Sequence, residues 1–322
     1  MAPFWEHLRS RAVVVTAVVF LVLMCVPVAL VGVYRRTSDT IDAQVFASQS
    51  ALVDLAAQAV RVKLDGLVTI ASSMASSTAL VTDVAGSKWT DAADAARDMQ
   101  NDVKYYDPFI DRIIIYDPQG IQRAAYPALV GGLGTSAASG SWYAALSSGK
   151  ESSYVTNVIL RTSKPQIQVV SVAVPIKGPS GTVAGFLVLQ IPTDNFLAFG
   201  ENISPGTYSF AYIVDQEGNI VAHPKYSSDN GEVVNYAFNP AVKNVMNGES
   251  GTLTVQDSGV VGIVTYRPVA DYGWGVIGQE LSEEAFAGNS SILFDIRLLI
   301  GILTIVNLLI VYMLFRILSS RP

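Results

Sequence analysis

Two long apolar runs, one near each end of the chain, constrain its fold more than any other feature. The run Leu298–Phe315 has 18 residues, of which only two are strongly polar. As a helix rising about 1.5 Å per residue, it would span roughly 27 Å, close to the hydrocarbon core of a bilayer. The run Ala12–Val33 is of comparable length. We therefore predict membrane-spanning helices at residues 12–34 and 291–316, with a large folded region between them.

The first run is predicted to be an uncleaved anchor, because its apolar core is longer than that of a signal peptide. Arginines flank this run on both sides, so it does not define the orientation. Arg316 and Arg321 follow the second run and favour a cytoplasmic C-terminus. The prediction is a two-pass plasma-membrane protein with a cytoplasmic segment 1–11, an extracytoplasmic region 35–290 and the start of a cytoplasmic linker at 317–322.

The charge and cysteine content of the region between the two runs restrict its function. Residues 35–290 contain 16 Lys and Arg against 25 Asp and Glu, a net charge of −9. This acidic balance argues against a nucleic-acid partner. Cys25 is the only cysteine and lies inside the first run, so no disulfide can form within the chain. An extracytoplasmic domain of this size without disulfides indicates a prokaryotic protein.

Patterns that are typical of enzymes are absent from the sequence. It has no Gly-x-Ser-x-Gly, no His-Glu-x-x-His, no phosphate-binding loop and no cysteine nucleophile. Its two histidines have no nearby cysteine or second histidine that would favour a metal site. We predict no catalytic residues, no metal and no cofactor within this chain, although an output domain that follows it could be an enzyme.

A long amphipathic helix is predicted at residues 35–86, directly after the first span. Residues 37–86 contain no proline, and their apolar positions recur mostly at spacings of three, four or seven. Gly86 is a plausible stop for this helix. One apolar stripe on such a helix can cover its own domain or face a second copy of the chain, and the pattern fits both.

The region after the long helix has the pattern of two copies of one antiparallel module. Ile110–Tyr116 reads as a strand and runs into Asp-Pro-Gln-Gly, and Tyr208–Val214 runs in the same way into Asp-Gln-Glu-Gly. Each of these turns is followed by a short return strand and then by further β-rich runs. We predict an α+β fold with two tandem PAS-like antiparallel-sheet modules, a membrane-distal one at 87–200 and a membrane-proximal one at 201–285.

This layout resembles the double Cache sensor domain of prokaryotic chemoreceptors, histidine kinases and cyclic-nucleotide signalling enzymes. In those proteins a long helix leaves a first span, two PAS-like modules follow, and a second span and a HAMP linker come next. The resemblance covers about residues 35–290, and the basic stretch before Pro322 resembles the beginning of a HAMP helix. Its markers are Trp142-Tyr143, Val172–Ile176, Gly185–Val188, Ile213–Pro224, Pro268-Val269 and Gly273–Ile277.

The resemblance implies that the distal module binds a small ligand. The amino-acid-binding branch holds the ligand carboxylate with an arginine and the ammonium with an aspartate. The matching positions in this chain are Gly140 and Gln190, so both charges are missing there. We therefore expect a neutral or weakly charged small molecule rather than a standard amino acid. Arg161 could supply a positive group from another direction, which keeps a carboxylate ligand open.

The candidate ligand-binding residues are aromatic, amide and guanidinium side chains of the distal module. Trp142 and Tyr143 follow a glycine-rich loop, and Tyr154 lies eleven residues beyond Tyr143. Core packing is the alternative explanation for each aromatic residue, since alternate strand residues face inward. The full set is Tyr143, Trp142, Tyr154, Gln190, Tyr126, Tyr116 and Arg161.

The function predicted from these features is extracytoplasmic sensing of a small molecule and transmembrane signal transduction. Asn307, in the middle of the second span, could pair with its copy in a second chain, so a homodimer is expected. The alternative is a stand-alone, membrane-anchored binding module that signals through a separate partner. The two hypotheses differ in whether the reading frame continues past Pro322.

Overall fold

The computed structural model describes residues 2–128, 131–161, 164–201, 210–227, 231–257 and 260–319. These residues form two compact units, one from Gln49–Leu281 and one from Met1–Ser48 together with Ser282–Pro322. The beginning of the predicted proximal module, at 202–209, and the end of the predicted linker, at 320–322, lie outside the described residues.

The unit that contains both chain ends is built from helix α1 (Ala2–Ala75) and helix α7 (Ser282–Ser319). Among the described residues, two helical stretches are long and apolar enough to cross a membrane, Ala17–Ala75 and Leu293–Leu314. Near the beginning of the apolar stretch of α7, Arg297 Nε donates to the hydroxyl of Tyr34 in α1 at 2.7 Å, and the guanidinium also lies over the Tyr34 ring. Such a pair suits the boundary between water and lipid.

The predicted helix 35–86 is interrupted at one point. Helix α1 ends at Ala75, and a separate helix α2 spans Thr78–Ala85. Ser77 starts α2, because its hydroxyl accepts a hydrogen bond from the Leu80 amide at 3.4 Å. Gly86 ends α2 with its amide bonded to the Thr82 carbonyl, so the predicted stop at Gly86 is confirmed. Apolar spacing alone does not show such a local capping bond.

The distal module is an antiparallel sheet in the order β2–β1–β6–β5–β3, and a short strand β4 also pairs with β5. Helix α3 and helix α2 precede the sheet, and helix α4 follows its first hairpin. The element bounds are α3 Trp89–Tyr106, β1 Arg112–Tyr116, β2 Gln122–Tyr126, α4 Ser141–Ser147, β3 Tyr154–Val155, β4 Ile159–Leu160, β5 Gln168–Lys177, β6 Val183–Pro192, a 3₁₀ turn Thr193–Phe196 and α5 Ala198–Glu201.

The proximal module repeats this topology, with the order β8–β7–β11–β10–β9. Each module starts with a hairpin and inserts its last strand beside the first, so the predicted repeat is confirmed. The element bounds are β7 Phe210–Val214, β8 Ile220–Ala222, α6 Pro240–Met246, β9 Gly251–Asp257, β10 Val260–Val269 and β11 Trp274–Leu281.

The first hairpin of each module turns at an aspartate, as its sequence predicts. Asp117 Oδ1 accepts from the amides of Gln119 and Ile121, at 3.0 and 2.9 Å. Asp215 Oδ1 makes the same two bonds, to Glu217 and Asn219. A carboxylate that holds two amides of its own turn fixes the chain reversal without help from other elements.

Each sheet has one face in a core shared with α1 and one face outside that core. The α1 stripe includes Val60, Leu64 and Leu67, which are fully buried, and it packs in one cluster with strand residues of both modules. Burying a leucine contributes about 1.5–3 kcal/mol. The opposite face of the distal sheet packs against α4, and the opposite face of the proximal sheet packs against α6. The α4 face of the distal sheet is where the candidate site residues lie.

Candidate functional site

Four aromatic side chains form a cluster between α4 and the distal sheet. Trp142 is buried, and its ring centroid lies 5.2 Å from that of Tyr116 and 5.5 Å from that of Phe186. The Tyr143 ring lies 5.4 Å from the Phe186 ring. These spacings are those of tilted and edge-to-face aromatic pairs. Burial raises the pKa of Tyr116 to about 12, so its hydroxyl stays protonated.

Tyr143 also holds the first hairpin in place. Its hydroxyl donates to the Pro118 carbonyl at 3.0 Å. Its ring lies where a side chain at Gly120 would be, since a Cβ there would come within 2.9 Å of the ring. Gly120 has a φ of +76°, which glycine adopts without steric cost. Tyr143 therefore has a structural role at the turn as well as a place in the aromatic cluster.

The start of α4 explains why Gly140 carries no side chain. A Cβ at this position would lie 3.1 Å from the Ala137 carbonyl oxygen and 3.3 Å from the Trp142 indole nitrogen. A side chain at this position would therefore be crowded, and its neighbours would have to move by a few tenths of an ångström. A positive group for this site has to come from another element.

Such a group is present on strand β1. Ile114 and Tyr116 belong to the α4 face, whereas Ile113 and Ile115 belong to the α1 core. Because successive strand residues alternate between faces, Arg112 lies on the α4 face. The register pairs Arg112 with Gln190 on β6, and Gln190 with Ser171 on β5. A polar row of three residues, Arg112, Gln190 and Ser171, therefore crosses the three central strands of the sheet, at the start of β1 and near the end of β6.

Arg112 is buried, and two of its three guanidinium nitrogens lack a partner in the part of the chain that the structure describes. It is only 5% exposed, and its Nε and Nη1 atoms have no hydrogen-bond partner among the described residues. Burial lowers the pKa of Arg112, the Arg161 guanidinium lowers it further, and Asp111 raises it. A buried, unpaired guanidinium is costly, because it has lost its hydration without gaining an acceptor. The Oε1 atom of Gln190 is also buried and unpartnered.

Arg161 lies near Arg112 but is paired. Its side chain is 3% exposed, its Nη1 lies 2.6 Å from Asp111 Oδ2, and its Nε donates to the Pro165 carbonyl at 3.1 Å. The Asp111 side chain is 35% exposed. The two neighbouring guanidinium groups thus differ. That of Arg161 is paired with Asp111, whereas the Nε and Nη1 atoms of Arg112 have no partner among the described residues.

The segment 154–157, which follows α4, lies alongside strand β5. Tyr154 pairs with Ala173, two residues along β5 from Ser171. Thr156 Oγ1 accepts from the Ser171 amide at 2.9 Å, and the Oδ1 atom of Asn157 is buried without a partner. Residues 154–160 contribute two short strands, β3 and β4, and both pair with β5.

The structure brings most of the predicted site residues to one side of the distal sheet. Tyr126 is the exception, because its partner Ile113 and its packing place it on the α1 face. Arg112, Ser171, Thr156 and Asn157 were missed by sequence reasoning. The sequence did contain a signal for Arg112. It lies two residues before Ile114 and four before Tyr116, so all three belong to the same face of the strand. The residues on the α4 face are Tyr116, Trp142, Tyr143, Tyr154 and Gln190, with Arg161 beside Arg112.

The proximal module has apolar residues at two of the three equivalent positions. Phe210 stands five residues before its turn aspartate, as Arg112 does in the distal module. The register places Phe210 opposite Gln279, and Gln279 opposite Val264. The charge in the polar row is thus specific to the distal module.

A histidine lies within an aromatic cluster on this face of the proximal module. His223 is buried among Phe210, Tyr212, Tyr226 and Tyr236, with ring centroids 4.8–6.1 Å away. Burial and, secondarily, the Lys225 ammonium lower the pKa of His223 to about 4. Its Nδ1 accepts from the Lys225 amide at 3.0 Å. These contacts describe a packed, neutral histidine.

Open clefts elsewhere on the distal module do not include the polar row. Two clefts of about 340 and 420 Å³ lie at the turn between β5 and β6, beside Gly178 and Pro179. The polar row crosses β6 at Gln190, near the other end of that strand. Among the described residues, no group of three or more His, Cys, Asp and Glu side chains is arranged to hold a metal.

The sequence profile of the Cache domain family matches residues 37–288. The chain belongs to the Cache domain family. This is a family of ligand-binding rather than catalytic domains. With an apolar helix on either side of the matched region, the chain is a two-pass membrane protein with an extracytoplasmic sensing domain that transduces a signal. No curated protein sequence matched the chain.

Solved structures share this fold at low sequence identity. The ligand-binding domain of the Pseudomonas fluorescens chemoreceptor CtaA, in complex with L-isoleucine, is 15% identical, with a TM-score of 0.59 over 78% of this chain and 98% of that one. The domain of the Pseudomonas aeruginosa PAO1 amino acid chemoreceptor PctB, in complex with L-Gln, is 17% identical, with a TM-score of 0.55 over 75% and 94%. The extracellular domain of the putative histidine kinase mmHK1S-Z2 is 15% identical, with a TM-score of 0.58 over 74% and 99%.

The expectation that the ligand is not a standard amino acid was wrong as argued. Domains with this fold bind L-isoleucine, L-leucine, L-Gln and asparagine. The argument relied on the missing charges at Gly140 and Gln190. It overlooked Arg112, which supplies a guanidinium to the same face from strand β1. The absence of one arginine therefore does not exclude a ligand carboxylate.

Proposed function

We propose that the distal module senses a small amino-acid-type ligand, whose carboxylate Arg112 binds on the α4 face of the sheet. The observation that carries this proposal is the buried Arg112 guanidinium with unpartnered Nε and Nη1 atoms. A carboxylate would give one of these donors a charge-assisted hydrogen bond, and because the Nε–H and Nη1–H groups point to different sides of the planar guanidinium, the other donor needs a second acceptor of the ligand. The carboxylate would also offset the cost of burying the charge.

Other groups around Arg112 suit the remaining parts of such a ligand. Gln190 Oε1, in the polar row with Arg112, is a buried acceptor without a partner among the described residues, and it suits a ligand N–H or O–H. Trp142, Tyr116 and Phe186 offer aromatic surface on the same face of the sheet, four residues along β1 and β6 from the row. A site with a few fixed polar groups next to aromatic walls is typical of small-molecule recognition.

The distal module is proposed as the ligand-binding one because the proximal module lacks these groups. At the position of Arg112 it has Phe210, and at that of Ser171 it has Val264. The row itself offers a carboxylate no cation, and the Lys225 ammonium of this module lies over the Phe210 ring, 4.9 Å from its centroid. The proximal module is therefore proposed to transmit the signal rather than to bind the ligand.

Ligand binding is proposed to favour one arrangement of the sensor over another and to change the signal carried by the second span. A ligand can shift such an equilibrium only by the difference between its affinities for the two arrangements. In the chain, β11 ends at Leu281 and α7 begins at Ser282. The last strand of the sensing domain thus continues directly into the helix that includes the second span.

The proposal is tested by thermal shift on the full chain in detergent micelles, with a panel of standard amino acids and small carboxylates. At least one ligand should raise the melting temperature. Arg112→Met should then weaken its binding by roughly 10- to 100-fold, the worth of a lost hydrogen-bonded charge pair. Arg97→Met is the matched control, because Arg97 is a half-exposed arginine on α3. If no ligand binds, or if Arg112→Met binds as well as the control, the proposal fails.

A further inference from the structure

The charges buried around the polar row do not cancel. The charged groups that act on Arg112 are Arg161 and Asp111. Arg161 and Asp111 form an ion pair with 2.6 Å between Nη1 and Oδ2. This pair leaves the positive charge of Arg112 without a counter-charge among the described residues. These three groups therefore carry a net charge of about +1.

We propose, building on the function proposed above, that the site selects a small carboxylate ligand whose own net charge is −1 over a zwitterion of the same shape. Two kinds of ligand share this chemistry: an acidic amino acid, and a carboxylate that has no ammonium group, such as a 2-hydroxy acid. Both would bring the total charge of the buried site to zero.

A neutral amino acid would leave the site unbalanced. Its carboxylate would compensate Arg112, but its ammonium would be a new buried positive charge. The unpartnered acceptor of the polar row, Gln190 Oε1, is an uncharged amide oxygen. Asp111 already forms an ion pair with Arg161, and its side chain is more exposed than those of the two arginines. Ion pairs are worth most where water is excluded, so the missing counter-charge should cost affinity.

A ligand of net charge −1 avoids this cost in either form. An acidic amino acid carries a second carboxylate, which can lie near Arg161 or next to its own ammonium. A 2-hydroxy acid replaces the ammonium with a hydroxyl group, and a hydroxyl donates well to the amide oxygen of Gln190. Neither ligand needs a further acidic residue from the protein.

The test is isothermal titration of the full wild-type chain in detergent micelles with three matched pairs of compounds. They are L-glutamate with L-glutamine, L-aspartate with L-asparagine, and L-lactate with L-alanine. Within each pair the shape is nearly constant and the net charge differs by one. In every pair that binds, we expect the anionic member to bind at least tenfold more tightly. Comparison of lactate with the two acidic amino acids identifies which kind of ligand the site takes.

The outcomes separate this inference from the function on which it rests. If glutamine, asparagine or alanine binds as tightly as its anionic partner, and Arg112→Met still abolishes that binding, the selectivity is wrong and the sensing function stands. If neither members of these pairs nor other amino acids bind through Arg112, both are wrong. The wild-type comparison needs no variant, so a folding defect in Arg112→Met cannot obscure it.

Discussion

The side-chain amide of Asn307 in α7 donates a hydrogen bond of 3.1 Å to the backbone carbonyl of Leu23 in α1. Pro27 lies four residues after Leu23 within the same helix, and proline has no N–H to offer this carbonyl. Asn307, which is 6% exposed, therefore satisfies an acceptor that its own helix cannot. The sequence predicted a partner for Asn307 in a second copy of the chain. That pairing stays a prediction, but the amide already has an acceptor in its own chain.

We expect Asn307→Leu to destabilise the pairing of α1 and α7 by about 0.6–1.7 kcal/mol, the range measured for hydrogen bonds between membrane helices. The measurement is unfolding of the full chain in mixed detergent micelles. Thr304→Val is the control, because the Thr304 hydroxyl bonds only to the Ile300 carbonyl of its own helix.

The cause can be isolated with Pro27→Ala, which returns a backbone donor to the Leu23 carbonyl. In this background Asn307→Leu should cost less than in the wild type, because the carbonyl no longer depends on the amide. Equal costs in the two backgrounds would show that the bond to Leu23 is not what makes Asn307 stabilising.

Arg112→Met should raise the stability of the ligand-free protein. The change removes a buried unpaired charge and keeps an unbranched side chain of similar length, so a gain of about 1 kcal/mol is expected. For a domain of this size that corresponds to a rise in melting temperature of roughly 2–4 °C. Thermal unfolding without ligand measures it.

Arg161→Met should have the opposite effect on melting temperature. It removes the guanidinium that pairs with Asp111 and that donates to the Pro165 carbonyl, so it leaves two acceptors without their donor. A drop in melting temperature for both arginine variants would mean that Arg112 has a partner in the ligand-free protein.

Asp215 should be more important for stability than its counterpart Asp117. Besides its turn, the fully buried Asp215 accepts from the Val158 amide of the distal module at 2.8 Å. The second oxygen of Asp117 instead accepts from half-exposed Arg123. In Asp215→Asn the new amide group can face the Val158 N–H, and we expect a loss of about 1–3 kcal/mol.

Hydrogen exchange locates this effect within the molecule. In the wild type the Val158 amide should be protected, and in Asp215→Asn it should exchange faster. Asp117→Asn is the control and should leave the exchange of Val158 unchanged. Unaltered protection of Val158 in Asp215→Asn would contradict a role for this bond between the modules.

Stability should fall as the pH is lowered from about 6.5 toward about 4, in part because of His223. Its pKa in the folded state is lowered to about 4, so between these values the unfolded chain binds a proton that the folded chain does not. Above pH 6.5 the histidine is neutral in both states and contributes no pH dependence.

Melting temperatures across this pH range, for the wild type and for His223→Asn, measure the contribution of the histidine. The asparagine oxygen can accept from the Lys225 amide as Nδ1 does, but it does not titrate. The variant should therefore lose less stability than the wild type on acidification. Parallel curves would show that His223 is not the titrating group.

The fold could be predicted well from the sequence because its signals are local. The Asp-x-x-Gly turns fix both hairpins through bonds within five residues, and this also made the repeat visible. The end of α1 at Ala75 was missed, because the apolar stripe continues into α2 while the cap at Ser77 interrupts the backbone. Periodicity reports which face is buried and not whether the helix is continuous.

The candidate site was harder to predict because it depends on register. Trp142 and Tyr143 were found through a marker within one segment. The polar row depends on the pairing of Arg112 with Gln190 and of Gln190 with Ser171, which are far apart along the chain. Strand alternation placed Arg112 on a face, but only the sheet order shows that this face also has Gln190 and the aromatic cluster.

Arg112 and Phe210 occupy matching strand positions in the two modules, so the proximal module serves as an internal control for the site proposed in the distal module. If the two modules arose by duplication, one copy kept or acquired a charge and the other filled the same position with a ring. A chain with both Arg112→Phe and Phe210→Arg would then measure how much of ligand recognition depends on this one strand position. Sensors with related tandem domains could have changed which module is responsive through substitutions at these two places, with the sheet around them preserved.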